Sequence, residues 1–112
     1  MDIKELMLQE GVTLCLDKGK HVFMQGESDR SLYFIQSGLL KAYYTSEKGN
    51  ESVKSFLLSN DVIGSLVALS SEKHCTFSLI CLETTVLTSI PFEKIILNSR
   101  SDLDAANQVI EL

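Results

Sequence analysis

The sequence predicts a mainly β domain, a sandwich or barrel, and two observations carry that prediction. Short apolar or alternating runs recur for about eighty residues, and a glycine stands at most of the breaks between them. The chain has 112 residues, the size of one domain, and is long enough to bury a core without disulfide or metal staples. With 45% hydrophobic and 22% charged residues it has the composition of a globular protein, not a disordered one.

The elements follow in order. Ile3–Leu8 suits one or two helical turns. His21-Val22-Phe23-Met24 breaks at Gln25-Gly26-Glu27, and Leu32-Tyr33-Phe34-Ile35 breaks at Ser37-Gly38. Leu39–Thr45 and Ser52–Leu58 flank Ser46–Asn50, which reads as a hairpin turn with Gly49 left-handed. Val62–Leu69 interrupts the rhythm: a strand end, the turn at Gly64, then a short helical turn. Thr76–Glu83 and Val86–Ile90 are two more strands. Pro91 suits the first position of a helix over Phe92–Leu97. Ser101 with Asp104 has capping-box spacing, and Leu103, Ala106, Val109 and Ile110 form an apolar stripe behind it. That stripe is still open at Glu111-Leu112, so the natural chain is expected to continue and to dimerise through this helix.

Charge and cysteines narrow the function. The net charge is −5 and the basic residues are scattered, which argues against broad contact with a phosphate backbone. Cys15, Cys75 and Cys81 are odd in number, and charges throughout Met1–Glu10 argue against a signal peptide. A cytoplasmic protein with reduced, at least half-buried thiols is the expectation. No stretch has the length of a membrane span. Two distant histidines, His21 and His74, are too few for a metal-dependent enzyme of the cupin type, and no nucleophile elbow is present, so neither an enzyme nor a metal site is expected.

At this point the residues resemble a family. Lys18-Gly19-Lys20-His21-Val22-Phe23-Met24-Gln25-Gly26-Glu27 and Leu32-Tyr33-Phe34-Ile35-Gln36-Ser37-Gly38 are similar to the opening strands of Crp/Fnr-type regulators. Lys41-Ala42-Tyr43-Tyr44 with Glu47–Glu51 looks like their next hairpin, and Glu83-Thr84-Thr85-Val86-Leu87 like a later strand. Asp61-Val62-Ile63-Gly64 resembles the start of their phosphate-binding segment, with Asn60 where that segment begins on glycine. The resemblance implies a β-roll of the cyclic-nucleotide-binding (jelly-roll) type over residues 14–90. It also implies C-terminal helices over 91–112, and a DNA-reading domain that this chain lacks.

The resemblance also implies a pocket. Nucleotide binders of the family carry a Glu for the ribose hydroxyl directly after the residue matching Gly64. About ten residues later they carry an Arg for the cyclic phosphate, then Ser or Thr. A guanidinium suits a buried phosphate because it offers paired, charge-assisted donors. Matched without gaps, Ser65 takes the Glu position, Cys75 the Arg position and Thr76 the hydroxyl position. Backbone N–H groups at Gly64, Ser65 and Leu66 remain for an anion, and Ser65 also reads as a helix cap. Lys73 or His74 could replace the Arg after a small register shift.

The resemblance thus implies the sensory domain of a transcription regulator, open to a small-molecule effector. Its pocket is degenerate, so cyclic nucleotide is a doubtful ligand. The competing reading is a stand-alone cyclic-nucleotide module using Lys73 or His74. An iron–sulfur cluster needs several closely spaced thiolates, which Cys15, Cys75 and Cys81 do not provide.

Overall fold

The computed structural model describes residues 2–65 and 74–99. A helix α1 (Ile3–Glu10) is followed by eight strands: β1 (Val12–Leu16), β2 (His21–Phe23), β3 (Ser31–Ser37), β4 (Leu40–Thr45), β5 (Glu51–Leu57), β6 (Val62–Ile63), β7 (Ser78–Cys81) and β8 (Thr85–Pro91). A helix α2 (Phe92–Ser99) closes the described chain. The strands form two antiparallel four-stranded sheets, ordered β1-β8-β3-β6 and β2-β7-β4-β5. This is the jelly-roll type of fold that the family resemblance implies, and one of the sandwich or barrel architectures that the strand rhythm predicts.

Two apolar clusters hold the sheets. Ile35, Ile63, Leu87, Leu40, Ala42, Leu79 and Phe77 pack between the sheets. Ile3, Leu6, Met7, Leu32, Phe34, Ile90 and Ile95 pack where α1 and α2 cover the outside of the first sheet. Strand β3 serves both: Leu32 and Phe34 face the helices, Tyr33 and Ile35 the other sheet. A strand buried on both faces reads as a continuous apolar run, and Leu32-Tyr33-Phe34-Ile35 is one. Fully burying one such side chain contributes about 1.5–3 kcal/mol.

The corners behave as their residues require. Gly19, Gly26, Gly38 and Gly49 all have positive φ. Gly38 is also hemmed in: a Cβ there would lie 2.4 Å from Thr85 Oγ1 and 2.8 Å from Thr85 Cα. Asn60, standing where the resembling segment has glycine, keeps the left-handed conformation at φ 79°, which asparagine tolerates better than most residues. Its N–H donates to the Ile35 carbonyl at 2.8 Å, tying the turn to β3.

Three details differ from the sequence reading. Strand β7 is shorter than Thr76–Glu83, because Cys75 and Leu82 bond to neighbouring turns: Cys75 N–H donates to the Glu27 carbonyl and Leu82 N–H to the Leu39 carbonyl. Pro91 ends β8 opposite Ser31 rather than opening the helix; the ladder runs on to Phe92 N–H, which donates to the Arg30 carbonyl. Strand β5 carries a bulge. Ala42 pairs with Ser55 and Tyr43 with Val53, so Lys54 is the extra residue. No helix among the described residues is long and apolar enough to cross a membrane.

Candidate functional site

The two positions matched to charged anchors are neighbours in the fold. Ser65, just past β6, is 2% exposed, and Cys75, just before β7, is 3% exposed. The Ser65 hydroxyl stands by the Cys75 thiol, where it favours the thiolate slightly. It has no hydrogen-bond partner of ordinary geometry among the described residues. A hydroxyl and a thiol thus meet where the resemblance has a carboxylate and a guanidinium.

The Cys75 thiol is nevertheless held neutral. Burial raises its pKa most and the negative charge of Asp29 adds to this, with Glu27 contributing less; Ser65 and the Asp29 backbone oppose it only in part. A buried neutral thiol is a poor nucleophile, which counts against a redox role. The segment before β3 is clamped here, since Gly26 N–H donates to the Cys75 carbonyl at 2.9 Å and Cys75 N–H to the Glu27 carbonyl at 2.7 Å. Asp29 accepts from the Tyr33 hydroxyl at 2.6 Å and from Ser31 N–H at 2.9 Å. Burial first, then that bond to Asp29, pushes the Tyr33 hydroxyl far above its ordinary value. Among the described residues, the charges that act on Cys75 are thus negative.

The remaining sequence candidates divide. Gly64 is buried beside Ser65, whereas His74 and Thr76 are exposed. Leu66 and Lys73 lie outside the described residues, as do Leu103, Ala106, Val109 and Ile110 of the dimer stripe. Of the cysteines, Cys81 is buried and its pKa is raised by that burial, but Cys15 is exposed, against expectation. Cys15 sits on the edge strand β1, opposite Val86, where no element among those described covers it. No group of three metal-ligating side chains occurs among the described residues. His21 is engaged with the Tyr43 hydroxyl at 2.7 Å.

Lys54 was not singled out from the sequence. Strict alternation along β5 puts it with Phe56 on the outer face; the bulge turns it inward beside Ser55. Its Nζ lies 5.1 Å from the centre of the Tyr44 ring and 5.3 Å from that of Phe77, and donates to the Tyr44 hydroxyl at 2.7 Å.

An open concavity of about 400 Å³ lies on the opposite, outer face of the same sheet, lined by Met24, Gln25, Tyr43, Thr45, Glu47 and Ser78 among others. Its polar groups already serve the fold. The Gln25 side chain exchanges two bonds with the Thr45 backbone, at 3.0 and 2.9 Å, and Ser78 Oγ accepts from Gln25 N–H at 2.8 Å. It is a seam between two turns, and none of the sequence candidates lines it.

Residues 13–96 match the family model described as the cyclic nucleotide-binding domain. The chain is 37% identical over 78 residues to the fumarate and nitrate reduction regulatory protein of Vibrio cholerae, a match covering 70% of this chain and 30% of that protein. It thus spans under a third of the length of this relative. Among solved structures, the catabolite activator protein of Thermus thermophilus superposes with a TM-score of 0.84 at 24% identity, covering 94% of this chain and 49% of that one. The sensor domain of the transcriptional regulator DNR from Pseudomonas aeruginosa gives 0.79 at 20% identity, covering 91% and 71%. At these identities the two structures speak for the fold alone.

Proposed function

The chain belongs to the cyclic nucleotide-binding domain family, in the branch of Crp/Fnr transcription regulators, and from that premise we propose that it is a sensory domain that has given up cyclic nucleotides. The observation that carries this reading is the Ser65–Cys75 pair, two small uncharged side chains set beside Asp29 and Glu27. A hydrogen bond to a charged group contributes about 1.5–3 kcal/mol, so each lost anchor costs roughly ten- to a hundredfold in affinity. The losses multiply if the two act independently. In this reading the domain is not an enzyme. It works in the cytoplasm as the effector part of a dimeric regulator that reaches DNA through a separate domain.

Isothermal titration with cyclic AMP and cyclic GMP tests the proposal. Neither should bind with a dissociation constant in the low micromolar range or tighter. The double change Ser65→Glu with Cys75→Arg should raise affinity for cyclic AMP at least tenfold. Tight binding by the unaltered chain would favour the competing nucleotide-module reading, with Lys73 or His74 as the phosphate contact.

A further inference from the structure

We propose that strand β1 is a docking edge for a second copy of this chain, the two strands pairing antiparallel about a twofold axis at Leu14. Such pairing is separate from any contact through the C-terminal stripe and independent of what the pocket holds.

Among the described strands, four end the two sheets: β1, β6, β2 and β5. Three of them are guarded. β6 has two residues, and β2 has three with a register shift between His21 and Phe23. β5 carries Glu51, Lys54 and the bulge. Shortness, charge and bulges are the usual protection of a free edge. β1 has none of these. It runs five residues in unbroken register with β8. Val12-Thr13-Leu14-Cys15-Leu16 holds no charge, proline or glycine. Val12 is 63% and Leu14 41% exposed, and Thr13 and Cys15 between and beyond them are exposed too.

The flanks decide what fits this edge. Exposed Glu10 precedes β1 and exposed Lys18 follows it. Antiparallel pairing about Leu14 sets Val12 opposite Leu16 of the other copy and Thr13 opposite its Cys15. The same register brings Glu10 of each copy toward Lys18 of the other, so opposite charges meet at both ends. Parallel pairing would set Glu10 against Glu10 and Lys18 against Lys18. The edge is therefore complementary to itself, as a twofold contact requires. Five residues a side fall short of the area that a stable dimer buries. The contact is thus transient, and trapping reads it better than mass does.

The test is disulfide trapping in the 112-residue chain carrying Ile110→Asp, which breaks the apolar stripe. Thr13→Cys places a thiol directly opposite Cys15 of the other copy, about 4.5–5.5 Å away between Cα atoms, a span that a disulfide bridges. The two native Cys15 residues stand two positions out of register and do not meet. Diamide takes two electrons and two protons from a thiol pair. It should convert Thr13→Cys to covalent dimer at least about tenfold faster than the chain without that change. Peptide mass mapping should place the bridge between position 13 of one copy and Cys15 of the other. Leu14→Lys, which sets two ammonium groups on the axis, should suppress the dimer in a folded chain. So should Val12→Lys, at a position exposed enough to leave the fold intact. Glu10→Lys should slow bridging roughly two- to fivefold by facing Lys18, and adding Lys18→Glu should restore it. Dimer formation no faster than through native Cys15, a bridge at other positions, bridging undiminished by both lysine variants, or a charge swap that restores nothing would each overturn the proposal.

Discussion

Cys75 and Tyr33 both keep their protons because burial and the Asp29 carboxylate disfavour another negative charge beside them. Both folded pKa values are raised, so in alkali the unfolded chain releases protons before the folded one does. The stabilisation is fully present below the ordinary values of 9.0 and 10.0 and is lost as pH rises beyond them. Urea midpoints should therefore fall with increasing pH above about 9. Tyr33→Phe should cost about 1 kcal/mol at neutral pH through the lost bond to Asp29, and should make the alkaline slope shallower. An unchanged slope would refute this account. At this scale the sequence was legible where identity follows a motif. Ser65 and Cys75 were paired through the family resemblance, and the fold sets them side by side, while their role toward a ligand stays a proposal. Lys54 was not legible, because a bulge is a property of two strands together. From one strand, period-two alternation sends it outward with Phe56, and only the shift from Ser55 to Val53 opposite β4 turns it in. The charge around Cys75 was equally hidden, since Glu27 and Asp29 arrive from a turn far away in sequence.

The elements were legible wherever a strand or turn carries its own signal. β3, the hairpin of β4 and β5, and the corner glycines follow from apolar runs and from positions that need positive φ. Their boundaries were less so. β7 ends early and Pro91 stays in β8 because of bonds to other turns, which no local pattern announces. Two glycines at positive φ separate backbone strain from crowding. Gly49 has φ 87° and open space around a would-be Cβ, so Gly49→Ala should cost only the left-handed penalty, about 1–2 kcal/mol. Gly38→Ala adds a collision with the Thr85 backbone to the same kind of strain and should cost clearly more, of order 3 kcal/mol or above. Urea denaturation of the two variants measures the difference, and equal losses would show that β8 can yield at Thr85.

For the whole molecule, composition and strand rhythm were enough to predict an acidic, mainly β domain, a sandwich or barrel; the pairing into two four-stranded sheets came from the structure. The expectation of assembly through a helix rests only on the apolar stripe Leu103, Ala106, Val109 and Ile110, which lies outside the described residues. A helix of about a dozen residues is marginal alone in water. Sedimentation should therefore show weak, concentration-dependent association that Ile110→Asp abolishes. A tight dimer indifferent to that change would contradict the dimer reading. The sheet order has a different kind of consequence. Among the described strands β1 lies at the edge of the first sheet and pairs there with β8, with Val12 opposite Ser89 and Leu16 opposite Thr85. β1 leaves the ribosome well before β8 and must wait until almost the whole roll has emerged before it finds that partner. Such closure over most of the chain is the slow, entropy-limited kind of folding step. During that wait Val12 and Leu14, exposed even in the finished fold, stand on an unpaired strand edge open to other chains.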